Sequence, residues 1–473
     1  MKKERKIKEL TIPMALFGFF APLLLILLLL SQGVGIMLAL TAAICVESIF
    51  GVYLGYSWED IEEYALKGIG RVNQTVIVMI LIGMLIGVWI SAGSVQTMLY
   101  YGINLIHPKL FLPIAFIICI ITSLVTGTSW GTAGTMGIAL IGIAQGLGIP
   151  APMAAGAIIS GALVGDKLSP LSDTTLLAAA TSRVKLFDHI LSLCYVTLPV
   201  AIISIIVYSI LGFKYGHGEM NLASVQILSE SLKSSCNIDV LMLVPLLFVL
   251  ILSAMKKPTI PVFAGGLVIG CIWAVLFQNI PLTDVIGSAV GGFKSATGNA
   301  DIDKLLSRGG ALSMAETIFL CIGAGMFSGV FERTGVLSRL MDQLRKIVKS
   351  VGGLVFSVTL TGIALMFGGA GQSCTLSLPA IAFRDAFEDM DVHPGVLSRS
   401  LECTGTVLGS IVPWDASAIL YSGLFGVSVA QYLPFNLVAI LSPVIAVLTA
   451  YIGFGVLKYN EQMHFTMKLR KYK

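Results

Sequence analysis

Long apolar stretches, separated by short polar segments, make up most of the chain. Stretches of about 20 apolar residues predict membrane-spanning helices. In the first half, continuous stretches of this kind cover residues 11–31, 34–55, 74–97 and 190–213. In the second half, they cover residues 239–255, 258–278, 312–333 and 432–457. The pattern predicts an all-α polytopic membrane protein.

Other apolar segments in each half are interrupted. The apolar pairs 110–125 and 135–148, then 354–367 and 374–383, are split by glycine-rich polar residues and predict two hairpins. The segments 151–181 and 395–424 are helical in pattern but broken by proline. We expect about ten transmembrane helices plus the hairpins, with each hairpin either re-entrant or crossing twice. Two amphipathic stretches, 57–72 and 281–308, are predicted to lie along the membrane surface.

The two halves of the sequence resemble each other. Residues 83–93 match residues 325–335, which lie 242 positions later, and Asp415 also lies 242 positions after Asp173. An odd number of crossings in each half turns the second half over, so we expect two inverted-topology repeats whose broken helices meet near the midplane. The predicted units are a first transmembrane repeat (1–213), an extracytoplasmic linker (214–238) and a second, inverted repeat (239–473).

Charge and composition restrict the class of protein. Hydrophobic residues make up 56% of the chain and charged residues only 12%, against about 25% charged in soluble domains. The net charge of +4 does not indicate a nucleic-acid partner, because the basic residues lie in short loops and at both ends. With the N-terminus in the cytoplasm, most of them fall inside. We therefore expect a multi-pass protein of the cell membrane, surrounded by lipid, with both termini cytoplasmic.

The most unusual stretch is residues 164–178, V-G-D-K-L-S-P-L-S-D-T-T-L-L-A. A charged side chain near the bilayer centre costs roughly 2.5–3.5 kcal/mol, and this stretch has Asp166, Lys167 and Asp173. Pro170 breaks the helix between the two aspartates and frees carbonyl groups that hydrocarbon does not satisfy. A bound ion is one way to satisfy them.

The second half repeats the combination of proline, aspartate and hydroxyl. Asp173 follows Pro170 and precedes Thr174 and Thr175, as Asp415 follows a proline and precedes Ser417. Carboxylate, hydroxyl and freed carbonyl oxygens suit a small hard cation. The same carboxylate can take a proton, because burial penalises its charged form and a cation favours it. The alternative is that each aspartate caps the restarted helix, and both roles can coexist.

The other intramembrane charges are open to two interpretations. Asp166 and Lys167 form either a buried ion pair that holds the broken helix or, for Asp166, a second proton site. Glu47, Glu316 and Glu402 are expected to make polar contacts between helices. Of the three, Glu402 is the best candidate for a role in transport instead, because it lies in the same interrupted segment as Asp415.

Two motifs resemble a known family. G-T-S-W-G-T at residues 127–132 and G-D-K-L-S-P-L-S-D-T-T at residues 165–175 are similar to the NhaC family of Na⁺/H⁺ antiporters. The resemblance implies secondary active exchange of Na⁺ and H⁺, with no further cofactor and no enzymatic activity, and places the Na⁺ at Asp173. The full set of expected cation- and proton-binding residues is Asp173, Asp166, Thr174, Thr175, Ser169, Thr128, Ser129, Thr132, Asp415, Ser373 and Thr375.

The resemblance leaves other activities open. The family also includes a malate/lactate exchanger coupled to H⁺ and Na⁺, so an organic acid is the alternative substrate. Neither hairpin tip contains an arginine or lysine that could pair with a carboxylate. This favours Na⁺ and H⁺ as the only substrates. A passive channel is the third interpretation, and a homodimer through the scaffold helices is expected by analogy only.

Overall fold

The computed structural model describes residues 7–215, 230, 232–234, 236–255, 257–296, 303, 306–345 and 350–463. Most of the predicted linker, the basic residues 1–6 and the tail 464–473 lie outside them. The first half contains α1 (Ile12–Ser31), α2 (Ile36–Leu54), α3 (Trp58–Ser91), α4 (Ser94–Leu105), α5 (Phe111–Thr126), α6 (Ser129–Thr132), α7 (Ile138–Gly146), α8 (Ala151–Leu168), α9 (Asp173–Thr181) and α10 (Leu186–Tyr215).

The second half is also helical. It contains α11 (Val244–Ala254), α12 (Thr259–Gln278), α13 (Leu282–Gly291), α14 (Ala315–Arg333), α15 (Val336–Arg345), α16 (Val351–Phe367), α17 (Gly371–Asp389), α18 (Pro394–Leu408), α19 (Ala416–Phe425), α20 (Val429–Tyr432) and α21 (Leu437–Tyr451). Within the described residues, seven helices are long and apolar enough to cross a membrane, or eight if α19 and the bent segment after it form one span. The all-α membrane class is confirmed, and the count of about ten spans stays a prediction.

The interruptions lie where the sequence predicts them. The first hairpin turns after Thr126 and the second after Phe367, while residues 169–172 separate α8 from α9 and residues 409–415 separate α18 from α19. Proline lies inside both of the latter breaks, where it removes a backbone donor and ends the helix. The predicted breaks and hairpin positions are confirmed.

The amphipathic stretch 57–72 is not a separate surface helix, and that prediction is wrong. It is the first part of α3, which runs for 34 residues without a break. A capping box between Ser57 and Asp60 begins the helix, and Gly93, with φ of 75°, follows its end. At about 1.5 Å per residue, α3 is about 50 Å long and extends well beyond a hydrocarbon core of about 30 Å.

The second amphipathic stretch, 281–308, is described only in part, since residues 297–302, 304 and 305 lie outside the described residues, and its helical part packs against the same helix. Its helical part, α13, lies so close to α3 that a Cβ atom on Gly87 would be 2.2 Å from the carbonyl oxygen of Ser288. Farther along, the N–H of Gly310 donates to the carbonyl of Gly83 over 2.7 Å. Contacts with α3 therefore hold α13 and the segment after it in place.

Small residues bring α3 and α14 into close contact across the two halves. A Cβ atom on Gly68 would lie 2.0 Å from the carbonyl oxygen of Gly325, and one on Gly329 would lie 2.0 Å from that of Tyr64. Such close approach of backbones is the usual way in which membrane helices associate. The relation of the two halves as inverted repeats stays a prediction.

Gly68→Ala is expected to destabilise this helix contact. The added methyl group has no room against the Gly325 backbone, and overpacking costs about 1–3 kcal/mol. Gly70→Ala is the matched control on the same helix, because nothing lies within 4 Å of its Cβ position. Thermal unfolding of the detergent-purified protein should show a lower midpoint for Gly68→Ala alone. Equal midpoints for the two variants would contradict the contact.

Candidate functional site

The first break, residues 169–172, is held by hydroxyl groups. Ser169 Oγ donates to the carbonyl of Leu124 on α5 over 2.8 Å. Thr175 Oγ1 lies 3.3 Å from the carbonyl oxygen of Asp166 and 3.2 Å from that of Lys167, and donates to them. These are carbonyls that the broken helix leaves without their usual partners. Ser169 and Thr175 therefore stabilise the break itself.

The first hairpin tip touches this break. Gly127 has φ of 71°, and a Cβ atom there would lie 2.7 Å from Leu171 Cβ and 2.9 Å from its carbonyl carbon. Only glycine adopts this left-handed conformation without strain. Thr128 Oγ1 accepts the N–H of Gly131 over 3.3 Å and begins the next helix. The next residue, Ser129, consequently points its backbone N–H at the broken helix.

Asp166 receives that N–H. Ser129 N donates to Asp166 Oδ2 over 3.0 Å, and the aspartate is only 5% exposed. Its other oxygen, Oδ1, is buried and makes no hydrogen bond of good geometry with any residue that the structure describes. Buried polar atoms normally have partners, so this oxygen is available to a proton or a cation.

Asp173 lies in a different environment. It is exposed, and its Oδ1 accepts the N–H of the next residue, Thr174, over 2.9 Å. Thr174 Oγ1 donates to Glu402 Oε1 over 3.0 Å, and Thr406 donates to the same oxygen over 2.8 Å. Glu402 is fully buried behind the first break. Its bond to Thr174 is a polar contact between α18 and α9, as the sequence predicts.

The second break carries an aspartate that caps a helix. Asp415 Oδ1 accepts the N–H of Ser417 over 2.8 Å at the start of α19. Ser417 Oγ in turn accepts from Trp130 Nε1 of the first hairpin tip over 3.2 Å and from Gln372 Nε2 of the second over 3.3 Å. Both tips therefore meet at the second break, and the capping alternative for Asp415 is confirmed.

A cavity of about 630 Å³ lies between the two tips and the two breaks. Several of the expected binding residues line it: Asp166, Asp173, Thr174, Thr128, Ser129, Ser373 and Asp415. Others do not, namely Ser169, Thr175, Thr132 and Thr375. Thr132 is fully buried and Thr375 donates to the carbonyl of Gly371 in its own helix. The structure thus divides the expected set into residues that face the cavity and residues that support it.

The predicted ion pair between Asp166 and Lys167 is not formed. Lys167 is fully buried, and its Nζ lies 3.4 Å from Cys403 Sγ and 3.3 Å from Ser442 Oγ. Neighbouring residues of a helix do not face each other, so Asp166 points to the hairpin tip while Lys167 points to α18 and α21. Asp166 is therefore available to ligands in the cavity.

The sequence did not identify the contribution of α3. Arg71, Gln74 and Thr75 line the cavity, and Arg71 is the only cationic side chain among its described lining residues. Arg71 lies near the end of the stretch 57–72 that was assigned to the membrane surface, and Gln74 and Thr75 lie just beyond it. The sequence contains only a weak indication of a long spanning helix, namely that no proline occurs between residue 58 and residue 91.

The chain is similar to known antiporters over most of its length. A sequence model of the Na⁺/H⁺ antiporter family matches residues 6–195 and 161–454. The chain is 38% identical to the Malate-2H(+)/Na(+)-lactate antiporter of Bacillus subtilis over 88% of its length and 89% of that protein. It is 35% identical to the Na(+)/H(+) antiporter NhaC of Alkalihalophilus pseudofirmus, over 88% and 90%. It is 34% identical to the arginine/ornithine antiporter ArcD of Halobacterium salinarum, over 85% and 83%.

Proposed function

Because the chain belongs to the Na⁺/H⁺ antiporter family, we propose that it exchanges Na⁺ for H⁺ across the cell membrane. The observation that carries this proposal is the buried Asp166 carboxylate, which lines the cavity with one oxygen held by Ser129 and the other without a hydrogen bond of good geometry from any described residue. Such a carboxylate needs a positive partner, and either a proton or a cation supplies it.

Exchange follows when both ions use the same carboxylates. A Na⁺ ion in the cavity takes oxygen ligands from Asp166, from Asp173 and from the hydroxyl of Thr174. A proton on Asp166 removes the negative charge that holds the cation, so proton uptake releases Na⁺ and Na⁺ binding releases the proton. Asp415 and Ser417 complete the opposite wall.

Alternating access is the expected mode of transport. The hairpins and broken helices move against the remaining helices, which act as a scaffold, and the site is exposed to each side in turn. We further propose that the two halves are inverted repeats, that both termini lie in the cytoplasm and that the scaffold forms a homodimer. A passive channel would conduct without this coupling.

Asp173→Asn tests the cation site directly. We expect purified wild-type protein in liposomes to convert an imposed Na⁺ gradient into a pH change, followed with a trapped pH-sensitive dye and with no organic acid present. The variant keeps the shape of the side chain but loses its charge, so exchange should fall at least ~10-fold. Unchanged exchange in the variant would remove Asp173 from the site. No pH change in the wild type would refute the proposed exchange.

A second candidate function is exchange of organic acids coupled to Na⁺ and H⁺. The volume of the cavity, about 630 Å³, favours it, because small-molecule sites occupy roughly 300–1,000 Å³. Malate uptake or lactate release by the same liposomes would support this function. A Na⁺-driven pH change of the same size with and without an organic anion would favour exchange of Na⁺ and H⁺ alone.

A further inference from the structure

Arg71 provides a positive charge in a cavity whose other charged lining residues are acidic. Exchange of two cations makes no use of this charge. We propose that Arg71 and the first turn of α17 form a subsite for a small organic carboxylate, beside the cation site. The proposal rests on the proposed function only in taking this cavity as the transport site.

The guanidinium of Arg71 has donors to spare. It forms an ion pair with Glu332 of α14, in which Nη1 donates to Oε2. The two side chains remain 44% and 45% exposed. A guanidinium carries five N–H donors in a planar fork, and one carboxylate uses at most two of them. A second carboxylate can therefore bind to the same arginine or replace Glu332 there.

The second hairpin tip adds backbone donors to the same cavity. Residues 369–374 line it together with Arg71. The helix that begins there, α17, is 19 residues long and has no side-chain cap. Its first N–H groups and the positive end of its dipole favour an anion, and Arg71 supplies the full charge that a helix end lacks.

Cation and carboxylate are expected to bind together. Asp166, Asp173 and Asp415 share the cavity and repel an anion when no cation is present. A bound Na⁺ compensates this charge, so the carboxylate should bind more tightly in Na⁺ than without it. The volume of about 630 Å³ also leaves room beside one ion, since a water molecule takes only about 30 Å³.

The test measures binding of radiolabelled malate and lactate to the purified full-length protein in Na⁺. Arg71→Gln should weaken binding of at least one of them ~10-fold or more, with Arg71→Lys intermediate. Glu332→Gln should tighten binding several-fold, because it removes the internal competitor. Lys67→Gln is the matched control. It removes a positive charge one turn earlier on α3, from an exposed pair with Glu63, and should leave binding unchanged.

Opposite effects of Arg71→Gln and Glu332→Gln would separate the subsite from a purely structural ion pair. A structural pair predicts that both variants weaken binding alike, and that result would overturn the proposal. It would also be overturned if the wild type bound neither acid while still exchanging Na⁺ for H⁺, which would leave the proposed function intact. Malate binding with the opposite variant effects, but without Na⁺/H⁺ exchange, would support the subsite and refute the exchange.

Discussion

Asp166→Asn is expected to reduce Na⁺-driven proton movement by at least ~100-fold. The attraction between a cation and a carboxylate in contact is on the order of 4 kcal/mol at an effective dielectric constant near 20, which corresponds to a factor of about 10²–10³ in binding. Asparagine retains an oxygen that can accept the N–H of Ser129, so the tip should stay in place. The measurement is the pH-dye assay in liposomes, with reconstituted protein quantified for each variant.

Asp415→Asn is the matched control for this prediction. Asp415 is also buried and also lines the cavity, but its oxygen caps α19 through the N–H of Ser417. Asparagine is as good an N-cap as aspartate, so exchange should stay within about threefold of wild type. Equal losses in the two variants would contradict the different roles assigned to Asp166 and Asp415, and an active Asp166→Asn protein would exclude Asp166 as the shared site.

Gly127→Ala is expected to reduce exchange at least ~10-fold through the backbone and not through charge. Left-handed backbone costs a residue with a Cβ atom roughly 1–2 kcal/mol, and here that atom also meets Leu171 at 2.7 Å. The tip must move away from the first break, which separates Ser129 N from Asp166. Exchange in liposomes and the thermal unfolding midpoint in detergent should both decrease.

Gly148→Ala isolates the backbone contribution. Gly148 has φ of 69°, close to the 71° of Gly127, but nothing lies within 4 Å of its Cβ position. This variant should lose some stability and keep its exchange activity. If both variants lost exchange equally, the contact between the tip and the break would not be the cause of the loss.

The breaks and tips were predictable because their causes are local. Proline ends a helix wherever it stands, so Pro170 marks the first break in any tertiary context. Gly127 marks a turn for an equally local reason. Arg71 had no such signal, because a single arginine in an amphipathic pattern is compatible with a membrane surface as well as with a cavity wall. Its position became clear only once α3 was found to continue unbroken to Ser91.

The sequence by itself determined the class of protein, most of the spanning segments, the two hairpins and the two broken helices, because apolar length and proline act over a few residues. The tertiary structure decided which aspartate does what. Asp166 is buried against Ser129 of the hairpin, Asp173 is exposed in the cavity, and Asp415 caps a helix. These roles depend on contacts between distant parts of the chain, such as Trp130 with Ser417, and a linear pattern does not contain the distances that create them.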